Sequence, residues 1–326
     1  MHSLPELRDQ FGRRFGYLRL SITERCNFRC DYCLPNGYIG KEPLPLTLTE
    51  IRSVVRAFAD CGTRKVRITG GEPGLRKDLP EIINACSSID GIDTVALTTN
   101  GYHLERSIDQ WVEAGLDQLN VSIDSLNPDR FAAITGHDRL ASIQRGIDRA
   151  LEVGLPVKVN AVLMKGFNDT ELQSFLDWVR DSPITVRFIE LMQTGDHPVF
   201  FSEHHVRGEG IKYQLHQAGW IEKPRRLEAG PAIELAHPDY LGSMGFILPY
   251  SRDFCSGCNR LRISSTGKLH LCLFGEQGYD IRSLMTEHSE EHLVQELHRL
   301  VGLKDESHYL NVGKTGATRH FAMLGG

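Results

Sequence analysis

YLRLSITERCNFRCDYC, the stretch from Tyr17 to Cys33, runs an alternating strand directly into three cysteines. Successive strand side chains point to opposite faces, so Arg19, Ser21 and Thr23 share one face and Leu18, Leu20 and Ile22 the other. Cys26, Cys30 and Cys33 then follow as C-x3-C-x2-C, at the C-terminal end of the strand, where the βα loops of a barrel build active sites.

Outward from this stretch, short β-branched runs alternate with helical patterns, which is the signature of parallel βα units. Strands are expected at Tyr17 to Thr23, Lys65 to Thr69, Thr94 to Thr99, Gln118 to Asp124, Val157 to Leu163 and Thr185 to Glu190. Helices are expected at Thr49 to Cys61, Leu79 to Ser87, Leu104 to Ala114, Ser142 to Val153, Asp169 to Val179 and Val206 to Ala218. Six units make an α/β fold, an incomplete (βα)6 TIM-like barrel, over residues 10–222. Pro224 to Pro231 reads as a boundary, and residues 223–326 as a C-terminal region with a helix near Glu290 to Val301 and a Gly-rich tail.

Every expected strand carries a polar face. Arg67 and Thr69 share one, as do Thr98 and Asn100; Asn120, Ser122 and Asp124; Lys158 and Asn160; Thr185 and Arg187. A closed barrel fills its interior with branched apolar side chains, and helices cover the outside of a parallel sheet. Polar faces on all six strands therefore point to a lumen that holds a large ligand.

The composition excludes several classes. With 40% hydrophobic residues the chain is neither disordered nor fibrous, and 37 Lys+Arg against 42 Asp+Glu gives a net charge of -5, so a polyanion site has to be local. No apolar run approaches the roughly 18 residues of a spanning helix, and Met1 to Gly16 lacks an apolar signal core. The expected location is the cytoplasm. In that reducing setting clustered cysteines serve metals or catalysis rather than disulfides. Of eight cysteines six form two triplets, the second being Cys255, Cys258 and Cys272 as C-x2-C-x13-C; Cys61 and Cys86 stand alone and read as small buried hydrophobes. Three thiolates without a fourth leave one iron of a 4Fe-4S cluster open, whereas structural zinc is closed by four ligands.

The first triplet, with Tyr32 inside it and Gly70-Gly71-Glu72-Pro73 after the second strand, resembles the radical S-adenosylmethionine (SAM) enzymes. Cys258-Asn259-Arg260-Leu261-Arg262, Cys272-Leu273-Phe274 and the terminal Gly325-Gly326 narrow the likeness to the MoaA-type GTP 3',8-cyclases of molybdenum cofactor biosynthesis. The resemblance implies a radical SAM partial barrel with a C-terminal auxiliary iron-sulfur domain, and a lyase. It implies two 4Fe-4S clusters on Cys26, Cys30 and Cys33 and on Cys255, Cys258 and Cys272. It implies SAM contacts from Tyr32, Gly71, Glu72, Ser122 and Met192, with the Glu72 carboxylate near the methionine ammonium. For GTP it implies Arg19, Arg67, Thr98, Lys158, Arg260 and Arg262, with Gly325 and Gly326 joining Arg260 and Arg262 in catalysis. The implied reaction forms 3',8-cyclo-7,8-dihydro-GTP after a 5'-deoxyadenosyl radical takes hydrogen from ribose C3'. Implied partners are a flavodoxin or ferredoxin, the downstream cyclic pyranopterin monophosphate synthase and a second copy of the chain, with no nucleic acid or membrane. Two other readings stay open: another radical SAM enzyme with an auxiliary cluster, such as a peptide modifier, and a non-catalytic protein with two structural zinc sites.

Overall fold

The computed structural model describes residues 6–41, 43–225, 229–286 and 289–325. Gly326 and part of the Pro224 to Pro231 boundary lie outside them. Six parallel strands form the expected series: β1 (Tyr17–Ser21), β2 (Lys65–Thr69), β3 (Thr94–Thr99), β4 (Gln118–Ser122), β5 (Val157–Leu163) and β6 (Thr185–Glu190). Their outer face is covered by α1 (Leu48–Asp60), α2 (Leu79–Ser87), α3 (Leu104–Glu113), α4 (Pro128–Thr135), α5 (Leu140–Glu152) and α6 (Leu172–Asp181), followed by α7 (Pro198–His204) and α8 (Glu209–Gln217).

Local chemistry explains the element ends. Thr47 and Glu50 form a reciprocal capping box at the start of α1, Thr47 Oγ1 accepting from the Glu50 amide at 3.2 Å and Glu50 Oε2 from the Thr47 amide at 2.8 Å. Helix α4, an addition to the strand-helix rhythm, has Asn127 as N-cap and Pro128 at its first turn, a start signal present in the sequence. The apolar faces of these helices meet the sheet in one hydrophobic cluster that runs from Leu7 to Val301. Each fully buried Leu, Ile or Phe in it contributes about 1.5–3 kcal/mol. Cys61 and Cys86 belong to this cluster, at 1% and 0% exposure.

The C-terminal strands are β7 (Ile221–Glu222), β8 (Ile233–Ala236), β9 (Ser243–Ile247), β10 (Arg260–Ile263), β11 (Lys268–His270) and β12 (Tyr279–Asp280), before the last helix, α9 (Glu290–Val301). They extend the sheet at both edges in the order β12-β11-β10-β1-β2-β3-β4-β5-β6-β9-β8-β7. Both direct neighbours, β10 on β1 and β9 on β6, are parallel to the barrel strands, so eight parallel strands stand side by side in an open array. The alternating rhythm that identified the first six strands is absent here, because β9 follows β8 in an antiparallel hairpin and β10 opens another with β11, with no βα crossover leading into either.

Candidate active site

Registers decide which side chains meet in the lumen. Arg262 of β10, Arg19 of β1 and Arg67 of β2 lie directly opposite one another on three adjacent strands. One step along the same face, Arg260, Tyr17 and Lys65 do the same. Farther round, Asn160 faces Ser122 on one side and Arg187 on the other.

Two cavities open off this face. The first is lined by Cys26, Cys30, Cys33, Tyr32, Gly71, Thr98, Ser122, Asp124, Glu190 and Met192 together with Phe321, Ala322 and Gly325 of the tail. The second is lined by Cys255, Cys258 and Cys272, by Arg13, Arg19, Arg67, Arg187, Arg260 and Arg262, and by Lys304. Asn160, Ile189 and Met192 line both, so the cavities share a wall.

All eight cysteines are free. Within each triplet the thiols are close enough to influence one another's ionisation. Yet among the described residues no three His, Cys, Asp or Glu side chains converge on a single ion position. Three thiols standing around a space suit a multi-iron cluster, whereas a zinc draws each ligand to about 2.3 Å from one point. The residues present fit three-thiolate 4Fe-4S clusters at both cavities.

The two cavities carry opposite charge. No Lys or Arg lines the first, and its acids are Asp124 and Glu190. Burial raises Asp124 to about 6, partly offset by hydrogen bonds from the Val162 amide at 2.8 Å and the Tyr32 hydroxyl at 3.0 Å. Burial raises Glu190 to about 7, with Glu209 adding to it. In the second cavity Arg19, Arg67, Arg187 and Arg262 are buried and none forms an ion pair among the described residues. Burial and mutual repulsion lower Arg19, Arg67 and Arg187 to about 10. The Nε atoms of the same three find no hydrogen-bond acceptor. Uncompensated buried cations are costly, so this cavity is built for an anion.

The tail joins the cavities. Thr318 Oγ1 donates to the Leu273 carbonyl beside Cys272, and farther on Phe321 and Ala322 stand against Cys33. Between them Arg262 Nη1 donates to the carbonyls of Leu324 at 3.2 Å and Gly325 at 2.7 Å, and Arg19 Nη1 to that of Gly325 at 3.2 Å. Gly325 has φ +64°, and a Cβ there would overlap the Thr69 side chain, so a side chain is excluded on two counts. At Gly71 the steric count alone applies, since a Cβ there would overlap the Arg25 carbonyl.

Three sequence-derived site residues sit elsewhere than expected. Glu72 lines neither cavity: its carboxylate accepts from the Gly74 amide at 2.7 Å, the Thr99 hydroxyl at 2.7 Å and the Asn100 amide at 2.6 Å, and so braces the loops behind the wall. Thr98 lines the cavity of the first triplet and not the arginine cavity. Lys158 lines neither, because its ammonium is paired with Glu234 on β8, a strand that the barrel rhythm gave no reason to place there. Conversely, Arg187, Asn160 and Asp124 line the cavities without having been singled out. Strand alternation put all three on the lumen face, but no motif promoted them. Arg13 and Lys304 had no such signal.

Residues 20–179 match the sequence profile of the Radical SAM superfamily and residues 184–310 that of Molybdenum Cofactor Synthesis C. In fold the chain is similar to the crystal structure of Streptococcus suis SuiB bound to S-adenosylmethionine, with a TM-score of 0.63 at 14% identity over 88% of this chain and 68% of that one. Fold and first cavity thus define a radical SAM protein. The chain is 52% identical over 326 residues to the GTP 3',8-cyclase of Vibrio vulnificus (strain YJ016), covering 98% of both, and 52% identical over 330 residues to that of Actinobacillus pleuropneumoniae serotype 5b (strain L20), covering 99% of this chain and 96% of the relative. It belongs to the GTP 3',8-cyclase family.

Proposed function

We propose that this chain cyclises GTP to 3',8-cyclo-7,8-dihydro-GTP with SAM as cosubstrate, an early step of molybdenum cofactor biosynthesis. The observation that carries this reading is the division of charge between two cysteine cavities that share a wall. SAM carries a sulfonium and an ammonium, which suit the acid-lined cavity; a nucleoside triphosphate carries about four negative charges, which suit the arginine-lined one. When bound, the first cluster and SAM supply a carbon radical able to take hydrogen from ribose C3'.

The chain's own residues bind, orient and exclude water. Cys26, Cys30 and Cys33 hold the first cluster, with Tyr32, Gly71, Ser122 and Met192 around SAM and Glu72 bracing that wall. Cys255, Cys258 and Cys272 hold the second cluster near the guanine. Arg19, Arg67, Arg260 and Arg262 hold the phosphates, bidentate guanidinium groups being matched to phosphate oxygens. Lys158 joins them by exchanging Glu234 for a phosphate, and Thr98 meets the nucleotide from the SAM side. Gly325, fixed by Arg19 and Arg262, closes the lumen between the cavities, and Gly326 acts with it in catalysis. The same reading includes a low-potential flavodoxin or ferredoxin as electron donor, a homodimer, a cytoplasmic location and delivery of product to a cyclic pyranopterin monophosphate synthase. No helix among the described residues is long and apolar enough to cross a membrane.

Anaerobic incubation of reconstituted protein with SAM, a reductant and each of the four ribonucleoside triphosphates tests the assignment. The expected outcome is one 5'-deoxyadenosine per cyclised GTP. SAM cleavage that yields a product from another nucleotide, or from none, overturns it.

A further inference from the structure

Lys304 follows α9 and reaches back beneath the second cysteine triplet. It is 3% exposed, lies 5.7 Å over the Phe15 ring and lines the second cavity. An ammonium has three donors. One goes to the carbonyl of Leu271, the residue before Cys272, and no ion pair is made among the described residues. A buried cation without a carboxylate needs another compensating anion. Leu271 immediately precedes Cys272, and Cys255, Cys258 and Cys272 line the same cavity as the ammonium, so the compensating anion is the group that the second triplet holds. Asp305 and Glu306 line the same cavity but are exposed, and the backbone carbonyls of both are held by Arg13, at 2.6 Å and 2.8 Å.

We propose that Lys304 is the built-in charge partner of the cluster on the second triplet, a positioning residue that raises its reduction potential above that of the first. Adding an electron adds one negative charge, which a fixed ammonium at short range stabilises in a medium of low dielectric. The first triplet has no counterpart, since no Lys or Arg lines its cavity. The inference rests on the reading that the second triplet holds a 4Fe-4S cluster.

The test is a reductive titration of the reconstituted protein followed by electron paramagnetic resonance, on the parent, Lys304→Met and Lys304→Arg. In the Met variant the second cluster should become at least tenfold harder to reduce, 59 mV for one electron. The first cluster should not move, and the Arg variant should stay near the parent. A Met variant that loses iron from the second triplet alone, while the Arg variant keeps it, equally supports a charge partner. An unchanged second potential, loss of the cluster in both variants, or a defect confined to GTP affinity in equilibrium dialysis overturns the proposal, the last by making Lys304 a phosphate ligand. A parent protein with only one cluster by iron and sulfide analysis defeats the underlying reading instead.

Discussion

The two cysteine triplets share a ligand count, and burial raises Cys272 in the second as it raises the thiols of the first, but the charge around them differs. At the first, burial and the nearby Glu72 carboxylate push Cys26 up to about 12, and burial alone carries most of the rise of Cys33 to about 11. At the second, burial would also raise Cys258, but Arg260 and Lys304 bring it down to about 6. The same three-thiol pattern is thus set in an acidic wall in one place and a basic wall in the other. Ligand spacing selects the kind of metal group, whereas the surrounding charge selects what binds beside it: a cationic cosubstrate or a polyanionic substrate.

The largest expected effects come from exchanging one triplet for the other. Cys33→Ser should abolish SAM cleavage, while Cys272→Ser should abolish cyclised product yet keep 5'-deoxyadenosine formation and the first cluster's resonance signal. Cys61→Ser should retain full iron, because that thiol packs in the core with the His298 ring nitrogen at 3.8 Å, away from both triplets. Loss of a cluster in the Cys61 variant would show that the ligands are misassigned.

Gly325→Ala attacks the link between the regions. A left-handed residue with a Cβ costs about 1–2 kcal/mol, and overlap with Thr69 adds to it. Cyclised product should fall by at least about tenfold while SAM cleavage persists; product at the parent rate would mean that the tail segment is not needed between the cavities.

On the basic side, Arg67→Ala removes one charge-assisted contact worth roughly 1.5–3 kcal/mol, so GTP affinity in equilibrium dialysis should drop by about one to two decades. SAM affinity should stay within about twofold. An equal loss for both ligands would erase the proposed division.

The smallest effect lies on the acidic side. Asp124 is raised to about 6 by burial, so it gains its charge as pH climbs through that value. A cation favours the ionised form, and SAM affinity should therefore rise a few-fold as pH climbs through about 6, with Glu190, raised to about 7, extending the rise above that. Calorimetric titration of Asp124→Asn should remove the component centred near pH 6 and leave the Glu190 one; a component near pH 6 retained in the variant would assign it to another group.

Much of this is legible in the amino-acid sequence. Strand alternation alone placed Arg19, Arg67, Asn160 and Arg187 on one lumen face, because a period of two leaves no freedom once one face is buried. The cysteine spacings pointed to clusters with an open iron, and together with the Gly70 to Pro73 turn they carried the family resemblance that implied the chemistry. What local pattern could not give was pairing across the chain. Nothing in Arg260 to Ile263 announces that this stretch lies parallel to β1, which is what puts Arg262 beside Arg19 and both on the carbonyl of Gly325. Nothing in Glu234 announces that it will pair with Lys158, and nothing in Lys304 that it will be buried against the carbonyl preceding Cys272. The sequence determined which chemical groups the chain owns and which face each strand shows, because both follow from covalent order and backbone period. Only the tertiary structure decided the charge of each cavity, because electrostatic partners are chosen by distance in space, and residues hundreds of positions apart supply them.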